Sequence, residues 1–173
     1  MAEEGDVLTD LNQPNGNGNG ADTAPVAGII TQYVKDLSVE NPKAPESFNW
    51  SEAPELDVQF NIGAVPVSEE VQEVTLKISV KAKTSQGPVY IVDLAYCGLV
   101  GMRNMADDQK HAFVFAEAPR FLFPFARRVI ADATRDAGFQ ALVLDPIDFN
   151  AVYVQQLQAQ QQDPSFSPQP SDA

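Results

Sequence analysis

Alternation of apolar and polar residues predicts two β-strands in the middle of this chain. Between Leu56 and Ile62 every second residue is apolar, with Val58 and Phe60 on that face. A longer alternation follows, with Val74, Leu76, Ile78, Val80 and Ala82 on one face and Thr75, Lys77, Ser79, Lys81 and Lys83 on the other. Each strand is therefore expected to bury one face and expose the other.

An earlier strand is predicted over residues 29–40, which are rich in β-branched and aromatic side chains. Strict alternation would place Tyr33, Leu37 and Val39 on one face and Asp36, Ser38 and Glu40 on the other. Two prolines then end the strand. An irregular connection that contains Phe48 and Trp50 leads to the strand at 56–62.

A fourth strand, over residues 89–97, is apolar on both faces. A turn at residues 84–88 joins it to the preceding strand as a hairpin. A strand that is apolar on both faces needs cover on both, from helices or from another subunit. We predict that one face, formed by Val92, Leu94 and Tyr96, is an oligomer interface.

Helices are predicted only after Gly101, which favours an α+β architecture. A short helix covers residues 107–116, and a longer helix begins at Pro119 or Pro124, where a missing N–H is tolerated. Its apolar stripe is expected to be Phe125, Val129, Ile130, Ala133 and Ala137. Gly138 is expected to end this helix, and Asp148 to cap a last one. The phenylalanines of residues 121–125 predict a core, an interface or a binding surface.

Composition divides the chain into three parts. Residues 1–28 form an acidic leader rich in Asn and Gly, residues 29–157 the folded domain, and residues 158–173 a tail rich in Gln, Pro and Ser. Both end segments are expected to be disordered. The formal net charge of −13 disfavours nucleic-acid binding and favours basic partners, although the acidity also serves solubility. The absence of a signal peptide, of a long apolar span and of a second cysteine predicts a cytoplasmic protein without direct membrane insertion.

Catalytic equipment is sparse in this sequence. His111 is the one histidine and Cys97 the one cysteine, and neither has a partner at the spacing of a metal site or a nucleophile–base pair. No phosphate-binding loop is present. We therefore predict a protein that is not an enzyme and that uses no metal and no cofactor.

Four stretches of the chain together resemble the SecB family, the tetrameric chaperones of bacterial protein export. They are YVKDLSVENPKAP at 33–45, YIVDLAYCGL at 90–99, FLFPFAR at 121–127 and LDPIDFNA at 144–151. The resemblance implies a four-stranded antiparallel sheet with helices packed on one face, assembled as a dimer of dimers. It also implies an ATP-independent holdase that binds unfolded preproteins, keeps them translocation-competent and delivers them to the SecA translocation ATPase.

The resemblance assigns two working surfaces. Client binding is expected at Phe48, Trp50, Leu56, Val58 and Phe60, since a holdase needs shape-tolerant apolar contact. SecA binding is expected at Asp36, Glu40, Ile91 and Asp93. From the residues alone, the positions assigned to client binding are also typical of a core. The carboxylates assigned to SecA binding are also typical of ordinary solvated positions on a strand. Two other functions stay open: a SecB-like chaperone dedicated to one antitoxin, and an acidic adaptor that binds no unfolded chain.

Overall fold

The computed structural model describes residues 23–162 and contains one antiparallel sheet with the strand order β1-β4-β3-β2. The strands are β1 (Val26–Glu40), β2 (Glu55–Pro66), β3 (Val71–Thr84) and β4 (Gly87–Arg103). The expected four-stranded antiparallel sheet is thus confirmed. β1 begins before residue 29, the predicted start of the domain, and the disorder expected at both ends falls mainly on residues outside the described range.

The helices follow the sheet in the chain. They are α1 (Asp107–Ala112), α2 (Ala118–Asp136) and α3 (Phe149–Gln162), with a π-helical turn (Phe113–Glu117) between the first two. Helical dihedral angles at Ala112, Phe113 and Ala118 make α1, the π turn and α2 one continuous rod, so the predicted break between two helices is absent. Pro119 lies in the first turn of α2, and Pro124 lies inside that helix.

Local signals at the helix ends act as predicted. Gly138 has φ +94°, a conformation that favours glycine, directly after α2. The backbone N–H of Ala151 donates a hydrogen bond of 3.0 Å to Oδ1 of Asp148, which caps α3. Since α3 continues to Gln162, regular structure extends beyond residue 157.

The core lies between α2 and one face of the sheet, which we call the helix face. The apolar positions of β3 are at most 1% exposed: Val74, Leu76, Ile78, Val80 and Ala82. Leu122, Ala126 and Ile130 of α2, spaced by four residues, are completely buried against this face. Leu122 approaches the sheet so closely that a Cβ at Gly98 would lie 2.9 Å from its Cδ2, so a larger residue there would force the Leu122 side chain to shift.

The predicted oligomer interface on β4 is wrong. Val92, Leu94 and Tyr96 pair with Val80, Ile78 and Leu76 of β3 and therefore lie on the helix face. Their exposed fractions within the single chain are 0%, 3% and 6%. The cover that an apolar strand needs comes from helices of the same chain, and these side chains have almost no surface left for another subunit.

The predicted apolar stripe of α2 is wrong at one end. Phe125 is 42% exposed, and Phe121 is 45% exposed, whereas Leu122 and Phe123 point inward. Because the rod is continuous from α1, the buried face is set by Ala118 and the residues four and eight positions after it. Phe125 lies one position away from that face.

The pairing of β1 with β4 contains two bulges, between Ile29 and Thr31 and between Val34 and Asp36. A bulge adds one residue and reverses the alternation beyond it. Tyr33 therefore shares a face with Asp36, and not with Leu37 and Val39 as strict alternation predicted. Leu37 and Val39 pair with Leu94 and Val92 on the helix face.

Candidate functional site

The face of the sheet opposite α2, which we call the open face, carries a regular array of polar and charged residues. Each row runs across β1, β4, β3 and β2 in register. The three central rows are Glu40–Ile91–Lys81–Asp57, Ser38–Asp93–Ser79–Gln59 and Asp36–Ala95–Lys77–Asn61. Neighbouring strands are about 4.8 Å apart, so each row places its side chains within reach of a single bound segment.

The residues predicted to bind SecA lie together on the open face. Glu40 pairs with Ile91, and Asp93 pairs with Ser38, midway between Asp36 and Glu40. All three carboxylates are exposed, and within residues 23–162 none of them forms an ion pair. Without the bulge at Lys35, Asp36 and Glu40 would turn toward the helix face. The bulge therefore creates an acidic patch whose charges are free to attract a basic partner.

A side-chain network borders the acidic patch. The Tyr33 hydroxyl donates a hydrogen bond to the Glu73 carboxylate, and Nζ of Lys35 lies 2.5 Å from Oε1 of Glu73. The hydrogen bond to Glu73 is the main cause that raises the pKa of Tyr33 to about 12. The hydrogen bonds from Lys35 and Tyr33 lower the pKa of Glu73. The hydrogen bond between Lys35 and Glu73 also raises the pKa of Lys35. The network links the bulged segment of β1 to β3 across the intervening strand β4.

This network predicts a stability change at high pH. The folded-state pKa of Tyr33 is about 12 against 10.0 for the free side chain, so its contribution is complete below pH 10 and is lost as the pH rises through 12. Across this window the free energy of unfolding should fall more steeply in the native protein than in a Tyr33→Phe variant. Urea unfolding followed by Trp50 fluorescence measures the difference, and parallel curves for the two proteins would contradict it.

The residues predicted to bind clients divide into two groups. Phe48 is 50% exposed and Trp50 is half-buried, and both border a hollow of about 260 Å³ with Phe139 at the hairpin end of the sheet. The ring centroids of Phe48 and Phe139 are 5.2 Å apart. The connection contacts the 84–87 turn, and Trp50 and Phe139 pack against the end of the core, whereas Phe48 stays half exposed.

The second group lies on the helix face of β2, an edge strand. Leu56 is 42% exposed and Phe60 is 38% exposed, while Val58 between them is half-buried. The ring of Phe60 lies 6.3 Å from that of Phe123 in α2, which in turn lies 5.7 Å from Phe149 at the start of α3. The structure thus leaves an apolar ridge between the edge strand and the helices.

Further apolar surface was not predicted from the sequence. Val34, Leu37 and Val39 of the edge strand β1 are about two-fifths exposed on the helix face. A groove of about 470 Å³ adjoins the start of β1 and is lined by Ala27, Ile29, Phe113, Phe121 and Phe125, among others. In the sequence, only the phenylalanines of residues 121–125 pointed to an apolar surface. The exposed row on β1 was not predictable, because the bulges that orient it are not visible in the residue pattern.

The two residues weighed for catalysis are accounted for by local packing. Nδ1 of His111 lies 2.8 Å from the Tyr153 hydroxyl, linking α1 to α3. Cys97 is fully buried, its thiol lies 3.2 Å from the Thr75 hydroxyl, and burial raises its pKa. No cluster of three or more metal-ligating side chains occurs in residues 23–162. The helices of this region include none with the length and hydropathy of a membrane span.

A sheet with helices on one face, an acidic patch on the other and exposed apolar edges defines a binding protein of the α+β class. The family model described as preprotein translocase subunit SecB matches residues 20–160. The chain is 68% identical to the protein-export protein SecB of Erythrobacter litoralis, over 91% of this chain and 89% of that protein. It is 61% identical to that of Novosphingobium aromaticivorans, over 91% of each. The chain belongs to the SecB family of protein-export proteins.

A solved structure shares the fold. It is a SecB-like chaperone of Mycobacterium tuberculosis in complex with a peptide from the HigA1 antitoxin, with a TM-score of 0.59. The match covers 70% of this chain and 90% of that one, at 15% sequence identity. The likeness confirms the SecB-like arrangement of sheet and helices.

Proposed function

We propose that this export chaperone is an ATP-independent holdase of the cytoplasm, which binds unfolded preproteins and passes them to SecA. The single observation that carries the proposal is the separation of two surfaces on one sheet. Apolar side chains are exposed at the edges of the helix face, and unpaired carboxylates are exposed on the open face. The apolar surface suits the holding of an unfolded client, and the acidic patch suits its delivery to SecA. The proposed cycle uses binding alone, with no cofactor.

Client holding is supported by the exposed apolar side chains of β2 and of the connection before it. Phe48, Leu56 and Phe60 offer apolar surface that tolerates many client sequences. β2 is also an edge strand, and an extended client can pair with the unpaired backbone groups of such a strand. Main-chain pairing together with unspecific apolar contact gives breadth of recognition without a shaped pocket.

We propose that the chain assembles into a homotetramer, a dimer of dimers. Its interface would be formed by the edge strand β1, and not by β4 as predicted from the sequence. Val34, Leu37 and Val39 form an exposed apolar row along β1, and the groove beside Phe121 and Phe125 continues it. An apolar surface of this extent on an edge strand is typical of an interface between subunits. The inner face of β4 stays in the core of each protomer.

A dedicated antitoxin chaperone is the second candidate. The solved relative from Mycobacterium tuberculosis holds an antitoxin peptide, but it resembles this chain in fold alone. Such a chaperone would hold one client and bind SecA weakly. An acidic adaptor, the third candidate, would leave the exposed apolar edges without a role.

Refolding of unrelated precursors tests holding. At stoichiometric amounts the native protein is expected to slow the refolding of several unfolded precursors. Replacing Phe48, Leu56 and Phe60 by serine should weaken client binding by about a hundredfold, since each exposed apolar side chain contributes roughly 1 kcal/mol. The assay measures refolding rates at increasing chaperone concentration.

A control is Val65→Ser, which removes a still more exposed apolar side chain from the open face of β2. This variant should hold clients normally. Retention of a single client would favour the antitoxin chaperone, and unchanged refolding of all precursors would favour the adaptor.

A further inference from the structure

The open face carries two lysines along β3, here called the basic row, that the docking of a basic partner does not require. Lys77 and Lys81 of β3 project from this face, opposite Ala95 and Ile91 of β4. Both are exposed, and neither forms an ion pair with any residue between 23 and 162. Lys83, the next lysine on this face, differs, because its Nζ lies 3.7 Å from Oε2 of Glu55.

The basic row runs parallel to the acidic patch. Asp93 lies one strand away from β3, at about 5 Å, while Asp36 and Glu40 lie two strands away, at about 10 Å. A hollow of about 410 Å³ on this face is lined by Asp36 and Asp93, by Lys77, and beyond Lys77 by Gln59 and Asn61 of β2. Opposite charges are thus held close together and left unpaired on one surface.

We propose that Lys77 and Lys81 form the second half of the docking face and select a partner segment that carries both charges. Basic side chains of the segment would meet Asp36, Glu40 and Asp93, and acidic side chains of the same segment would meet the two lysines. The proposal rests on the proposed docking function of the acidic patch and adds the chemistry of the partner. Complementary charge on both sides gives orientation and rejects segments that are only basic.

An opposite expectation follows if the lysines only weaken the acidic field. In that case neutralising them would make the open face more negative, and every basic segment would bind more tightly. The two ideas therefore predict changes of opposite sign for a partner that carries both charges.

Two synthetic peptides of equal length separate the ideas. The basic peptide contains lysine and serine, and the mixed peptide keeps the lysines and has glutamate in place of the serines. The native protein is expected to prefer the mixed peptide by about two- to thirtyfold at low salt, which is the range for two exposed ion pairs. Lys77→Gln with Lys81→Gln should abolish or reverse the preference. Fluorescence anisotropy of labelled peptides at two salt concentrations measures it.

Lys83→Gln is the matched control, because its amine already faces Glu55, and it should keep the preference for the mixed peptide. Tighter binding of the mixed peptide by the double variant, or a native preference for the basic peptide, would overturn the proposal. Neither result would contradict the proposed delivery of clients to SecA through the acidic patch. Delivery fails separately, if reversal of Asp36 and Glu40 leaves SecA binding unchanged.

Discussion

Replacing Asp36 and Glu40 by lysine is expected to abolish the salt-sensitive association with SecA while client holding survives. Both carboxylates are exposed on the open face, and no ion pair within the described residues neutralises them. Each substitution converts an attraction for a basic partner into a repulsion, so the effects of the two should combine. We expect a loss of about a hundredfold or more at low ionic strength, and a smaller loss at high salt, where screening already weakens the native complex.

Isothermal titration calorimetry with SecA at two salt concentrations measures this effect. Asp107→Lys with Asp108→Lys is the matched control, since it changes the net charge equally at exposed positions in the first turn of α1. That control should bind SecA nearly normally. Unchanged affinity in the Asp36/Glu40 variant would remove the acidic patch from the delivery function, and an equal loss in the control would assign the effect to overall charge.

Leu94→Glu is expected to prevent folding of the protomer. Leu94 is 3% exposed, and it lies on the helix face beside Ile78 of β3. The substitution removes a buried side chain and places an unpaired carboxylate in the core, at a combined loss of about 5 kcal/mol or more. Since small domains are stable by only about 5–15 kcal/mol, this loss removes most or all of the margin. Circular dichroism and urea unfolding measure it.

Leu37→Glu is the matched comparison, because Leu37 pairs with Leu94 and lies on the same face of the sheet. Leu37 is 41% exposed, so the protomer should stay folded, with a stability change within about 0.5 kcal/mol. The proposed assembly through β1 should nevertheless fail, and light scattering should report a smaller particle. A folded, tetrameric Leu94→Glu protein would contradict its burial, and a tetrameric Leu37→Glu protein would contradict the role of β1.

Alternation predicted which residues of β2 and β3 share a face, because both strands pair without irregularity over their apolar stretches. The expected burial holds for β3, whereas Leu56 and Phe60 of the edge strand β2 stay about two-fifths exposed. Every inward residue of β3 from Val74 to Ala82 is buried as expected. The C-terminal end of α2 and the start of α3 were also predictable, since Gly138 and Asp148 act through local backbone conformation and local hydrogen bonds. Local physics of this kind is visible in a few neighbouring residues.

The errors on β1 and β4 share one cause, which is that long-range packing decided them, whereas the error on α2 has a separate, local cause. The bulge at Lys35 depends on the pairing of β1 with β4, and nothing in residues 33–40 distinguishes it from regular alternation. The cover over Leu94 comes from a helix much later in the chain. The inward face of α2 follows from its continuity with α1 through the π turn, which exposes Phe125.

Residue identity and short spacing were enough to predict the strands, the helix ends at Gly138 and Asp148, the scarcity of catalytic groups and the resemblance to the SecB family. Which side chains share a surface depended on the tertiary structure. It brought Asp36, Glu40, Ile91 and Asp93 together with Lys77 and Lys81 on one open face, and it moved the exposed apolar row from β4 to β1. The physical reason is that strand register, bulges and helix packing set the direction of each side chain, and these depend on contacts between distant parts of the chain.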